Sequence, residues 1–199
     1  KIVFRVDSSS EIGTGHVMRC LALADALKDK DSDVYFICRN HPGNIIEYIK
    51  SKKYKVFIIA NKEGQNFKLD SNLPNAKFLG DSQTNDANDC YAILGNIRPN
   101  WLIIDHYGID VLWQKILKDR YDKLMVIDDL ADRFHYFNLL IDQNLYKNKY
   151  QRYFGKVNFD AQLLLGSDYF LIKEEYRKMK NKFQIRSNTV KKYLSIFQE

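Results

Sequence analysis

IVFRVDSSSEIGTGHVMRCLALADALK, residues Ile2–Lys28, decides the fold. Ile2–Val6 is apolar enough to read as a buried strand, and His16–Lys28 reads as a helix. Within that helix Val17, Cys20, Leu21, Ala24 and Leu27 share one face at helical spacing. A strand, a polar loop with two glycines and an amphipathic helix make the opening of a β–α–β unit.

The same grammar continues outward. Val34–Cys38, Lys55–Ile59, Trp101–Ile104, Leu124–Ile127 and Leu139–Ile141 read as further strands. Between them Asn44–Ser51, Ala87–Ile97 and Val111–Arg120 read as helices, with Asp86 as the expected cap of the second and Pro99 ending it. Near-continuous apolar strands alternating with helices predict a parallel sheet covered on both faces, a doubly wound, Rossmann-like α/β fold. Residues 1–180 read as one such domain. Residues 181–189 (NKFQIRSNT) read as a polar linker, and 190–199 as the first strand of a second domain that this chain lacks.

Composition narrows the function. With 45% hydrophobic and 28% charged residues the 199-residue chain has an ordinary globular balance. Its net charge of +6 is spread along the chain, densest around Lys173–Lys192, and reads as a solvated basic face; no motif for reading nucleic acid accompanies it. Cys20, Cys38 and Cys90 are odd in number and scattered, which fits a reducing cytoplasm and no zinc site. No apolar run approaches a membrane span, so no membrane partner is expected.

In an open parallel sheet, ligands gather outside the carboxyl ends of the strands. Here those ends carry Asp7–His16, Asp105-His106-Tyr107-Gly108, Asp128-Asp129 and Asp142-Gln143-Asn144. In the first loop Gly13 and Gly15 permit a sharp turn and close approach to a ligand. His16 would sit at the helix start, where the positive end of the dipole favours the neutral imidazole, a proton acceptor near pH 7. A histidine there that merely caps the helix is the competing reading; the surrounding glycines and serines favour the base. Gly13-x-Gly15 lacks the third glycine of a dinucleotide fingerprint, since Met18 stands there, and no phosphate-loop motif exists. The strand-end aspartates read as loop and helix anchors, so neither metal nor cofactor is expected.

Four segments carry a family resemblance: FRVDSSSEIGTGHVMRCLALADAL (Phe4–Leu27), LIIDHYGID (Leu102–Asp110), VIDDLADR (Val126–Arg133) and LLIDQNLY (Leu139–Tyr146). A weaker match is LLLGSDYFLIKEEYRK (Leu163–Lys178). Together they resemble the UDP-2,4-diacetamido-2,4,6-trideoxy-β-L-altropyranose hydrolases of pseudaminic acid biosynthesis. The resemblance implies one half, the N-terminal one, of a GT-B-type fold in which two Rossmann-like domains face each other. It also implies hydrolysis of a UDP-sugar without a metal, with His16 as general base, water attacking the anomeric carbon and inversion there. It places Gly13, Gly15 and Tyr107 around the sugar, with Asn144 nearby, and Asp7 and Asp105 as loop organisers. Tyr107 reads equally as a packing aromatic. The UDP grip would belong to the second domain, which leaves this chain poorly active alone. Two other readings stand beside this one. One is half of a glycosyltransferase; the other is a sugar-binding or assembly module that forms homo-oligomers through the apolar strand after Thr189.

Overall fold

The computed structural model describes residues 1–28, 30–62, 68–69 and 72–179, so the expected linker and following strand lie outside the described residues. Seven strands form one sheet: β1 (Ile2–Val6), β2 (Val34–Arg39), β3 (Lys55–Ile59), β4 (Trp101–Asp105), β5 (Lys123–Ile127), β6 (Leu139–Asp142) and β7 (Gln162–Leu165). Their order is β3-β2-β1-β4-β5-β6-β7 and every pairing is parallel. The helices are α1 (Gly15–Lys28), α2 (Ile46–Ser51), α3 (Gln83–Gly95), α4 (Val111–Ile116) and α5 (Glu174–Met179). The doubly wound α/β class is the one read from the sequence.

Side-chain alternation along β1 divides the core. Ile2, Phe4 and Val6 pack on one face with Val17, Cys20 and Leu21 of α1 and Ile46 and Ile49 of α2. Val3 faces the other way, into a cluster holding Leu102 and Ile104 of β4, Cys90 and Leu94 of α3, and Trp113 of α4. Full burial of each such large apolar chain contributes roughly 1.5–3 kcal/mol. The three cysteines are buried and unpaired. Among the described residues no helix is long and apolar enough to cross a membrane.

Strand order reverses between β1 and β4. The chain leaves β1 toward β2 and β3, then returns to β4 on the other side. The register pairs Val6 with Asp105, so the loops after β1 and β4 part from neighbouring strand ends. Such a switch point opens a crevice at the sheet edge.

Several local boundaries differ from the sequence reading. Helix α3 begins at Gln83 and is capped by Ser82, whose hydroxyl accepts from the Asn85 N–H at 3.1 Å. Asp86 does not cap it, because its carboxylate turns inward to Arg5, Arg39 and the Trp113 indole. Asp110 caps α4 by accepting from Leu112 N at 2.7 Å, and the helix stops at Ile116 rather than reaching Arg120. Strand β7 lies in a segment read only as part of a motif.

Candidate active site

Helix α1 begins at Gly15, which sets His16 in its first turn at the switch point. The His16 Nδ1 lies 2.7 Å from Asp105 Oδ1, at the end of β4. Asp105 also accepts two bonds from Arg19, one turn further along α1, from Nε and Nη2 at 2.6 Å each. The third Arg19 nitrogen, Nη1, donates to Asp129 Oδ2 at 2.8 Å. Asp129 Oδ1 accepts from the Tyr107 hydroxyl at 2.7 Å. The Tyr107 ring then stands edge-on to His16, with centroids 4.5 Å apart. The circuit closes on itself: His16, Asp105, Arg19, Asp129, Tyr107, His16.

Electrostatics assign the protons. Burial works against an ionised Asp105, yet His16 and Arg19 outweigh it and hold the carboxyl well below the usual carboxylate range. An ionised carboxylate only accepts, so the His16 Nδ1 carries a hydrogen and the Nε2 is left as the base. Burial lowers the proton affinity of His16, but Asp105 more than compensates, and the net shift is upward. This corrects the expectation drawn from the helix start alone. The dipole favours a neutral ring, but a full negative charge at 2.7 Å dominates a partial positive one. Burial and the bond to Asp129 push the Tyr107 phenol upward, so it stays a donor.

His16 and Tyr107 open onto a hollow of about 490 Å³ whose far wall includes Gln143, Phe170, Leu171 and Lys173. Gly15 lines the same hollow, and a Cβ added there would meet nothing within 4 Å. Gly13 has φ +76°, a left-handed turn closed by its N–H donating to Ser9 O at 2.9 Å. Gly15, His16 and Tyr107 thus line one hollow, whereas Gly13 belongs to the turn before α1 and is not part of that lining. Asn144 is placed one residue beyond the wall: its backbone N–H donates to Asp142, while Gln143 reaches the hollow.

The other strand-end aspartates are closed off. Asp7 accepts from Arg5 and from the Arg39 backbone at 2.6 and 2.7 Å. Asp128 pairs with Arg133 at 3.1 Å, and Asp142 with Arg152 and the Tyr153 hydroxyl. Asp7 is therefore a loop organiser as read, whereas Asp105 touches the candidate base directly. Arg19 escaped the sequence reading, and Asp129 reads there only as a strand-end anchor. The available signal was an arginine three residues after His16, which places both on one helix face.

No family model matches the chain. Over 194 residues, 97% of this chain, it is 31% identical to the UDP-2,4-diacetamido-2,4,6-trideoxy-beta-L-altropyranose hydrolase of Campylobacter jejuni, covering 57% of that protein. It is also 24% identical over 192 residues to an uncharacterized protein of Methanocaldococcus jannaschii, covering 34% of it. The chain therefore spans between a third and three fifths of the length of these relatives. Across nearly its whole sequence, this chain is a relative of the UDP-2,4-diacetamido-2,4,6-trideoxy-beta-L-altropyranose hydrolase that its strand-end motifs resemble.

Proposed function

We propose that this chain is the sugar-facing, base-carrying part of a UDP-sugar hydrolase. The observation that carries the reading is the His16–Asp105 pair, set at a switch point and open to a hollow, in a chain related to such an enzyme. Water attacks the anomeric carbon, and its proton passes to His16 Nε2. The bond from that carbon to the UDP oxygen breaks, its electron pair leaves on the β-phosphate, and the configuration inverts. The resulting imidazolium is balanced by Asp105. UDP is a competent leaving group, so positioning of the water and a base of suitable strength supply much of the rate. No metal takes part in this scheme. The grip on UDP is assigned to the portion of the relative that this chain does not span.

The test uses UDP-2,4-diacetamido-2,4,6-trideoxy-β-L-altropyranose in H₂¹⁸O, with the chain alone and fused to the unmatched part of the Campylobacter jejuni hydrolase. The fusion is expected to release UDP with the label in the sugar, while the chain alone turns over negligibly. His16→Asn should lower turnover by roughly 10²–10⁴-fold. Label in the UDP phosphate, or undiminished turnover by His16→Asn, would sink the mechanism.

A further inference from the structure

We infer that Arg19 and Asp129 are positioning residues that fix the orientation of His16 and tune its basicity through Asp105 and Tyr107. The inference rests on the reading of His16 as the base, and it concerns residues to which that reading gives no role.

Geometry carries the argument. Arg19 is nearly buried and spends three nitrogens on two carboxylates, holding Asp105 by a two-point fork and Asp129 by its remaining Nη. A fork fixes the plane of the carboxylate it grips, and with it the direction from which His16 Nδ1 is held. Asp129 serves both ends of the circuit, taking Arg19 on one oxygen and the Tyr107 hydroxyl on the other. Tyr107 in turn blocks one side of the imidazole. His16 is thus fixed at its nitrogen by Asp105 and along its ring by Tyr107, and both supports converge on Asp129.

The same contacts set the charge around the ring. Facing His16 are Asp105 from β4, Arg19 from its own helix, Asp129 from the loop after β5 and Tyr107 from the loop after β4; Lys173 and Tyr176 stand across the hollow. Arg19 neutralises part of the Asp105 charge and so weakens its pull on the His16 proton. Asp129 neutralises part of Arg19 and restores it. The two residues therefore act on His16 with opposite signs.

The experiment is an NMR titration of His16 in the chain itself, labelled with ¹⁵N and ¹³C at histidine. Arg19→Gln is expected to raise the His16 midpoint by about half a unit or more, and Asp129→Asn to lower it by a similar amount. Arg19→Lys, which keeps the charge, should return the midpoint toward wild type. A merely structural role would give no such opposed pair. Shifts of the same sign, or none above about 0.2 units, would overturn the inference. Should either variant fail to fold, the wild-type ¹⁵N spectrum decides: the neutral ring must carry its hydrogen on Nδ1, and an Nε2–H tautomer would overturn the proposed hold. Because every readout is a property of His16 and not of turnover, hydrolysis that proves independent of His16 would leave the tuning intact. The converse failure would leave the hydrolase reading intact.

Discussion

Two arginine–aspartate circuits meet at the sheet edge, and they differ in what they leave open. The first joins Arg5 to Asp7 and Asp86, and Asp86 in turn to Arg39, with the Trp113 indole donating to Asp86 at 2.8 Å. The side chains of Arg5, Asp7, Arg39 and Asp86 have no exposed surface. The second joins His16, Asp105, Arg19, Asp129 and Tyr107 at the rim of the hollow. Its Asp105 is equally buried, but it ends in an imidazole whose Nε2 serves no hydrogen bond among the described residues. Similar residues on neighbouring strands thus perform different work. The sealed circuit ties β1, β2 and α3 together; the open one presents a base.

Removing one member from each circuit exposes the difference, and the largest expected effect falls on the sealed side. Asp86→Ala would take the nearest carboxylate from the buried Arg39 guanidinium, leave Arg5 with Asp7 alone and leave the Trp113 N–H unpaired. Breaking a buried pair from one side costs about 3–5 kcal/mol, enough to consume much of a small domain's stability. Urea denaturation of Asp86→Ala should show a loss of that size, whereas His16→Asn should lose under about 1 kcal/mol. Equal losses would remove the distinction between a structural and a chemical circuit.

The sequence made the open circuit partly legible and the sealed one hardly at all. β1 to β6 announced themselves because each is a short, nearly continuous apolar run, and the loop after β1 stood out for its glycines and histidine. Strand β7, QLLL, is as short as β6 (LLID), but its apolar run reads only within the family motif and not as a strand of its own. Arg5 sits inside the strand that read as simply buried, and nothing in its neighbours tells that its partner lies 81 residues away. Asp86 looked like a cap because capping is a local habit of aspartate, and the long-range demand of Arg5 and Arg39 overrode it. Arg19 was overlooked for a similar reason: its partners come from strand ends separated from it by 86 and 110 residues.

Acid should discriminate between the two regions next, with a smaller effect. Burial holds His106 and His135 below the ordinary histidine range, so the unfolded chain takes up protons first as pH falls below about 6.5. Their contribution to stability is complete above that pH and is lost below it. His16 has the opposite sign. Its raised affinity adds stability that is fully present below about pH 6.5 and is lost as pH rises through its folded-state value. Below pH 6.5 the His16 contribution is constant, so the two depressed histidines set the slope, and stability should fall by at most about 1.4 kcal/mol per pH unit for each proton. A steeper loss follows below about pH 4, where the unfolded chain protonates Asp7, Asp86 and Asp105 while the folded chain holds all three below the usual carboxylate range. Denaturation midpoints between pH 8 and 5 test the first stage. In His16→Asn the fall toward pH 5 should keep its slope but begin from a lower plateau near pH 6.5, because the stability that His16 adds there is gone.

The smallest effect concerns the two glycines that lead into the open circuit, and it separates backbone need from space. At both positions an added Cβ would meet nothing within 4 Å, so sterics with the rest of the fold do not distinguish them. Conformation does. Gly13 has φ +76°, a region that costs an L-residue about 1–2 kcal/mol, so Gly13→Ala should destabilise by roughly that amount. Gly15 opens α1 without a left-handed φ, and alanine there should be neutral or stabilise by about 0.5 kcal/mol. The methyl would project into the hollow beside His16, so a stable Gly15→Ala that loses sugar binding would assign that glycine to the ligand. If Gly15→Ala were as destabilised as Gly13→Ala, both glycines would belong to the turn, and the hollow would owe its opening to backbone geometry alone.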